Sequence, residues 1–486
     1  MRIVKKTSLK MNFIYNMIYE VLVLSVPLIT VPYISRVLGS GNVGIYNYVM
    51  ANVTYFALIA NFGSASYAQR EIAPIRDNRE VRTRTFWGFF SFRIISSLAA
   101  LIFFAIFCII VPNYKIYYIV SGISIVSVLA DVSWFFQGLE NFKITVTRNA
   151  IIKLSATALI FAFVKQPEDL LLYIAINVGS AFVGSCSLWA YLSDYIESFS
   201  RKYINIKKHL FGSYKIFIPI LAIQVYTVVD KTILGLLKDV VEVGYYSQAE
   251  KIVQIIVSII NALAVVLFPR ISALIANNDF AEANRFFRKS VRAASLLTMP
   301  CMIGCVFVAE DFIPLFLGEQ FEPSVRVLQI LSLLFVILGM ARVIGTPLLI
   351  PLKRENKYTI AVCSGAVINV LLNLLLIPRY AATGAAVATI AAEACVTLLE
   401  IYFIRDCFKP QVIIRSLLQY TGPSMVMTLI LVMCHIFVPS GIIRMISSVV
   451  LGVTTYFAVL IIKQDDLVIE MVLDPLKKIF RALIWE

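Results

Sequence analysis

Long apolar runs alternate with short polar gaps along the whole chain. Each run holds about 20 residues, enough for an α-helix to cross the hydrocarbon core of a bilayer. The pattern predicts about fourteen membrane-spanning helices, at residues 12–36, 43–62, 86–111, 116–137, 146–164, 170–192, 213–237, 244–268, 290–317, 325–351, 358–377, 383–404, 416–438 and 442–462. The predicted fold class is therefore an all-α membrane protein.

Lysine and arginine residues concentrate in every second gap, for example within residues 70–84, 201–208 and 285–292. The opposite gaps hold only Lys115, Lys165, Lys238, Arg379 and Arg444. Because short cytoplasmic loops retain basic residues, this alternation predicts that both termini are cytoplasmic. The outward-facing gaps are short, so an outward catalytic site would have little chain from which to form.

The composition supports a membrane protein over a soluble one. Of 486 residues, 60% are hydrophobic and only 15% are charged. The net charge of +14 would suggest nucleic-acid binding in a soluble protein, but the basic loops account for most of it, and we expect no nucleic-acid partner. The sequence contains two histidines, His209 and His435, which are too few to indicate a histidine-rich metal site or a histidine proton relay.

A weak internal repeat suggests two copies of one unit. Val43-Gly44-Ile45-Tyr46 begins the second predicted helix and Val243-Gly244-Tyr245-Tyr246 begins the eighth, each after a helix with a central proline. We predict two six-helix lobes around a central cavity, 1–212 and 213–410, followed by two further helices in 411–463. The remaining residues, 464–486, predict a cytoplasmic amphipathic tail on anionic lipid. Glycine and tyrosine are also common where transmembrane helices begin at the membrane interface, which is the alternative explanation of the repeat.

Basic residues inside the predicted spans indicate what the protein binds. A charge in hydrocarbon costs at least about 2.5 to 3.5 kcal/mol, so it must face a partner or a water-filled cavity. A cavity lined by the deeper cations would be positive, and arginine binds phosphate with two parallel hydrogen bonds. The sequence predicts binding of an anionic, phosphate-bearing solute by Arg36, Arg93, Lys153, Lys231 and Arg342.

Acidic residues inside the spans have two interpretations. They could couple transport to a proton or sodium gradient, or neutralise neighbouring cations in structural ion pairs such as Arg93 with Asp131 and Asp230 with Lys251. We predict no cofactor beyond that coupling ion. The candidates for ion coupling or gating are Asp131, Asp230, Glu250, Lys251 and Glu393.

Four motifs, in order along nearly the whole chain, carry a family resemblance. They begin with Arg36-Val37-Leu38-Gly39 before Val43-Gly44-Ile45-Tyr46, and continue with residues 130–143 leading into Arg148, residues 267–272, and residues 373–393. Together with the span count, they resemble the bacterial polysaccharide repeat-unit flippases. These are the Wzx-type members of the multidrug, oligosaccharidyl-lipid and polysaccharide exporter superfamily.

The resemblance implies a transporter in the bacterial inner membrane. Such a protein would move an undecaprenyl-pyrophosphate-linked oligosaccharide from the inner to the outer leaflet by alternating access. It implies that Arg36 and the cations facing it hold pyrophosphate or acidic sugars. It also implies that the transporter acts together with a polysaccharide polymerase and a chain-length regulator.

Other functions remain open on the sequence alone. A multidrug cation antiporter would favour a cavity dominated by carboxylates, and a flippase for the peptidoglycan precursor would share the fold. A membrane-embedded polysaccharide polymerase is the main enzymatic alternative, although none of the zinc, nucleophile, phosphate-loop or dinucleotide motifs is present. A non-transporting scaffold has little support beyond the amphipathic tail.

Overall fold

The computed structural model describes residues 9–204 and 206–469, and within that part of the chain it contains no β-strand. Short 3-10 turns occur at Ala73–Ile75, Pro167–Asp169, Leu188–Asp194, Arg201–Tyr203 and Glu319–Phe321. The helices are α1 (Leu9–Asn61), α2 (Ser64–Ile72), α3 (Arg79–Ile110), α4 (Lys115–Ser121), α5 (Ile123–Ala130), α6 (Ser133–Gly138), α7 (Phe142–Phe163), α8 (Leu170–Ser187), α9 (Ile206–Leu237), α10 (Val240–Ala276), α11 (Phe280–Leu317), α12 (Ser324–Leu331), α13 (Leu334–Leu349), α14 (Glu355–Ile404), α15 (Gln411–Phe437), α16 (Ile442–Ile462) and α17 (Asp466–Val468).

Ten helical stretches of the described chain are long and apolar enough to cross a membrane, which confirms the predicted fold class. Two of them, Met17–Ile75 and Glu355–Ile404, are at least twice the length that one crossing needs. Each contains a non-helical residue, Gly39 with φ 75° and Ala381 with φ 49°. The chain bends there, so each long stretch supplies two of the predicted spans.

The two remaining predicted spans, 213–237 and 244–268, coincide with α9 and α10. These helices contain 32 and 37 residues, so both are long enough to cross a bilayer. The total of fourteen crossings remains a prediction. The predicted end of the eighth helix near residue 268 is wrong, because α10 continues through Pro269 to Ala276.

The chain divides into two compact units, residues 1–244 and residues 245–486. Among the described residues, the first unit has an aromatic core that includes Phe86, Phe89 and Trp134. The core of the second unit includes Phe287 and Phe408. Helix α9 packs against α1 and α3 within the first unit, whereas the sequence analysis assigned it to the second lobe. The scheme of two six-helix lobes around a cavity remains a prediction.

The two repeated glycines approach each other within the first unit. A Cβ atom at Gly44 would collide with the carbonyl oxygen of Val240, and a Cβ atom at Gly244 would collide with that of Ser40. The contact is reciprocal, since each glycine meets the carbonyl four residues before the other. Side chains at these two positions would force the helices apart. The repeated sequence thus supplies matching surfaces to α1 and α10.

Candidate functional site

Four of the five predicted substrate-binding cations lie in the first unit. Arg36 is exposed and precedes the bend at Gly39 by three residues. Lys153 is half-buried on α7 and donates a hydrogen bond of 3.3 Å from Nζ to the carbonyl oxygen of Val23. Lys231 is half-buried on α9.

Arg93 is the fourth cation, and it is almost completely buried. Its exposed fraction is 2%. The Nε and Nη1 atoms have no hydrogen-bond partner in the described structure. A buried guanidinium with unused donors is costly, which makes it suited to an anion that brings the missing acceptors. The suggested structural pairing with Asp131 gives no ion pair within the described residues.

Asp131 instead has two local partners. Its carboxylate accepts hydrogen bonds from the backbone nitrogen of Ser133 at 3.1 Å and from the Ser133 hydroxyl at 2.8 Å. It also pairs with Arg148, whose Nη2 lies 3.6 Å from Oδ1. These contacts begin α6 and join it to α7. They lie at the break between α5 and α6, one of the two breaks that divide the predicted span 116–137 into three short helices.

Asp230 lies beside a polar cluster in the first unit, with an exposed fraction of 2%. Thr232, two residues further along α9, donates to the side-chain oxygen of Asn52 at 3.1 Å and lies 3.1 Å from the Tyr55 hydroxyl. Asn52 in turn donates to the Tyr118 hydroxyl at 2.8 Å. Together these hydrogen bonds join α9 to α1 and α4, and Tyr55 also interacts electrostatically with Asp230.

The second unit holds the remaining predicted residues. Arg342 is exposed on α13, and Glu250 and Lys251 are half-buried on α10. Glu393 is half-buried on α14. The sequence analysis did not select Glu400, which lies seven residues further along the same helix and has an exposed fraction of 2%. The i, i+7 spacing places both carboxylates on one helix face, and this was the signal that could have identified Glu400.

An apolar pocket of about 520 Å³ lies elsewhere in the second unit. Its lining includes Met302, Phe307 and Val387, and none of the residues around it is charged. The pocket therefore offers no counter-charge to an anionic group, and it is separate from the candidate anion-binding residues.

Ion pairs join helices, or the two ends of a long bent helix, at both ends of the second unit. Arg444 of α16 binds Asp311 of α11 through Nε–Oδ2 at 2.6 Å and Nη2–Oδ1 at 2.9 Å. At the other end, Arg354 binds Asp406 through both carboxylate oxygens, which holds the pKa of Asp406 well below its usual range. These contacts attach helices to one another and do not form a binding site.

Several curated relatives align with this chain over most of their own length. One is a protein of Escherichia coli (strain K12) named as an O-antigen transporter, 24% identical over 406 residues, which are 82% of this chain and 98% of that protein. Another is the capsular polysaccharide biosynthesis protein CapF of Staphylococcus aureus, 26% identical over 326 residues, 63% of this chain and 79% of that protein. None of these names describes an enzyme activity.

Solved structures share the fold. The lipid II flippase MurJ in an inward closed conformation superimposes with a TM-score of 0.77 at 15% identity, over 94% of this chain and 99% of that one. An inward-facing multidrug transporter of the MATE family, in the MOP superfamily, gives a TM-score of 0.58 at 12% identity, over 80% and 97% of the two chains. At these identities the likeness establishes the architecture alone.

Two family models match the chain, each over more than half of its length. The model described as polysaccharide biosynthesis protein matches residues 9–275. The model described as lipid II flippase MurJ matches residues 205–462. These matches confirm the resemblance seen in the sequence motifs. The chain is a multi-pass membrane protein with the MurJ-like and MATE-like transporter fold, and it belongs to the polysaccharide biosynthesis protein family.

Proposed function

We propose that this protein is a flippase for lipid-linked oligosaccharide repeat units in surface polysaccharide synthesis. It carries an undecaprenyl-pyrophosphate-linked oligosaccharide from the inner to the outer leaflet of the bacterial inner membrane by alternating access. Both termini lie in the cytoplasm. The observation that carries the proposal is Arg93, a buried guanidinium with unused hydrogen-bond donors in an apolar helical protein.

The chemistry of the cargo fits the charges of the chain. A pyrophosphate-linked sugar cannot cross bare hydrocarbon, because its charges and hydroxyl groups would lose their hydration. Guanidinium and ammonium groups replace that hydration, and arginine binds phosphate oxygens in pairs. The proposed ligands of the head group are Arg36, Arg93, Lys153, Lys231 and Arg342. The polyprenyl tail stays in the lipid.

Ion coupling and assembly partners complete the proposal. A proton or sodium gradient drives the transport, with coupling or gating by Asp131, Asp230, Glu250, Lys251 or Glu393. A polysaccharide polymerase and a chain-length regulator receive the exported unit.

The peptidoglycan precursor is the second candidate cargo. The match of residues 205–462 to the lipid II flippase model favours it. Both cargoes carry a pyrophosphate between a polyprenyl tail and a sugar, so the same cations would serve either. The relatives named for O-antigen and capsule favour the polysaccharide unit. A multidrug antiporter selects cations, which the buried Arg93 would repel.

Deletion of the gene tests the proposal. We expect complete lipid-linked repeat units to accumulate on the cytoplasmic leaflet, as measured by mass spectrometry of extracted lipids and by accessibility of the sugars in oriented vesicles. Complementation with Arg36→Ala should lower export about tenfold or more, because a charge-assisted hydrogen bond contributes about 1.5 to 3 kcal/mol. Arg326→Ala, which removes another exposed arginine, is the matched control and should restore export.

Three outcomes would contradict the proposal. The first is normal surface polysaccharide in the deletion strain when no paralogue is present. The second is accumulation of the peptidoglycan precursor instead, which would identify the second candidate. The third is wild-type export by Arg36→Ala with equal amounts of inserted protein, which would remove Arg36 from the proposed site.

A further inference from the structure

The carboxyl group of Glu400 lies against the backbone of a neighbouring helix in the second unit. A Cβ atom added at Gly345 of α13 would lie 2.6 Å from Oε1 and 3.2 Å from Oε2 of Glu400. The absence of a side chain at Gly345 therefore leaves room for the carboxyl group, which any larger residue would displace. The surface it meets offers no donor, since the helical amides of α13 are already bonded within the helix.

One oxygen of the Glu400 carboxyl group is buried without a hydrogen bond in the described part of the chain. The side chain is 2% exposed, and Oε2 has no hydrogen-bond partner within residues 9–204 and 206–469. An ionised carboxylate in such a position loses its hydration and gains no donors, which is among the costliest states of a buried polar group. Binding a proton removes that cost.

Among the described residues, three charged or titratable groups interact electrostatically with Glu400. Arg342 comes from α13, while Tyr358 and Glu393 come from α14 itself. Helix α12 also packs against α14 but contributes no titratable group to this neighbourhood in the described structure. With both carboxylates ionised, the cluster carries one net negative charge. One proton on Glu400 makes it neutral.

Arg342 connects this cluster to transport. It lies one helical turn from Gly345 on α13, and it is exposed while Glu400 is buried. An ionised Glu400 would hold the Arg342 guanidinium as a counter-ion, whereas a protonated Glu400 leaves the charge of Arg342 available to an anion. Proton binding and anion binding then strengthen each other, by the reciprocity that links any two coupled sites.

We infer that Glu400 is a proton-binding site of the second unit, and that its protonation frees Arg342 to bind the phosphate group of the cargo. The proton comes from water and adds to a carboxylate oxygen, and no other bond changes. The inference rests on the proposed function for its role in transport, and it names the proton as the coupling ion. It assigns this role to Glu400 rather than to the five residues suggested by the sequence.

The test uses the purified full-length protein in lipid nanodiscs with inorganic pyrophosphate as the probe. Calorimetric titrations in two buffers of different ionisation enthalpy give the number of protons taken up for each anion bound. For each anion bound, we expect the wild type to take up about one proton more than Glu400→Gln at most. Protonation of pyrophosphate itself contributes equally to both values. The control is Glu355→Gln, which alters an exposed acid on the same helix and should match the wild type.

Two further measurements keep the inference testable if Glu400→Gln folds poorly. The infrared band of a protonated carboxylic acid should be present in the wild type with pyrophosphate bound, and in Arg342→Gln even without the anion, because the counter-ion of Glu400 is then missing. Arg342→Gln should also bind pyrophosphate about tenfold more weakly or worse, since a charge-assisted hydrogen bond is lost.

Equal proton uptake by the wild type and Glu400→Gln would overturn the inference. So would the absence of the carboxylic acid band in the wild type with pyrophosphate bound, or unchanged pyrophosphate affinity in Arg342→Gln. None of these measurements uses a lipid-linked sugar. Failure here is therefore distinguishable from failure of the export test, which measures the cargo in cells.

Discussion

His209 is a buried histidine in the first turn of α9. Its ring contacts Tyr67 and Phe89 edge-on, and its Nδ1 atom has no hydrogen-bond partner in the described part of the chain. Burial, together with the nearby Lys208, lowers the pKa of His209 from 6.5 to about 4, although Glu71 acts in the opposite direction. The imidazole is therefore neutral at physiological pH.

Acid should destabilise the first unit through His209. Below pH 6.5 the unfolded chain binds a proton at this position, whereas the folded chain does so only near pH 4, so folding stability falls as the pH decreases between these values. We expect the apparent melting temperature of the purified protein to fall over this range. The decrease should be smaller in His209→Phe, which keeps an aromatic ring without the titrating group.

The comparison variant for this measurement is His435→Phe, because His435 is the other histidine of the chain and lies in the second unit. It should retain the acid sensitivity of the wild type. Equal sensitivity in His209→Phe and the wild type would show that other groups govern acid unfolding.

The sequence identified the ionisable residues of the spans but not their partners. Hydropathy marks Arg93 and Asp131 as costly in a membrane, and their similar predicted depth suggested a pair. The structure pairs Asp131 with Arg148, which comes from the next helix, and leaves two donors of Arg93 unused. Which side chains meet depends on helix rotation and on local breaks, and a single sequence contains little information about either.

At the scale of helices, hydropathy located the elements more reliably than their ends. The predicted span 86–111 corresponds to α3, which begins seven residues earlier at Arg79. Asn78 accepts a hydrogen bond from the backbone nitrogen of Val81 there, so a cap determines the helix start while the apolar run marks only the part in lipid. The same distinction explains why α10 continues past Pro269 beyond its predicted span.

Asp131 permits a test that separates a structural role from a coupling role. Asp131→Ala removes the acceptor for Ser133 and the counter-ion of Arg148, so we expect a loss of about 1 kcal/mol in stability, the usual net contribution of a side-chain hydrogen bond. Asp131→Asn keeps an acceptor oxygen and should retain most of the stability. The measurements are thermal unfolding and gradient-dependent translocation in vesicles.

The two variants should differ if Asp131 is structural. Asp131→Asn should then translocate with the gradient dependence of the wild type. Loss of that dependence in a stable Asp131→Asn protein would instead assign Asp131 to ion coupling. Ser133→Ala is the control for the hydroxyl contact and should show only the smaller stability loss.

At the scale of the whole molecule, the alternating charge pattern gave the class of protein, and the motifs gave its family. Hydropathy could not predict which of the two compact units each helix packs into, because an apolar helix can pack against the helices before it or against those after it. Helix α9 illustrates this: Thr232 forms hydrogen bonds with Asn52 and Tyr55 of α1, and these polar contacts place it in the first unit. Such partners become apparent only when the helices are assembled.

The proposed orientation with both termini inside depends on an even number of crossings. Arg444 is one of the five basic residues in the gaps predicted to face outward, but its ion pair with Asp311 neutralises it. Alkaline phosphatase needs disulfides and is therefore active only when exported. We expect activity for a fusion within Gly318–Ser324, and none for fusions after Asn278 or at the C-terminus. An active C-terminal fusion, with the other two as expected, would mean that an even number of crossings follows Gly318, rather than the five predicted. In that case the count of fourteen and the cytoplasmic position of the C-terminus would both be wrong.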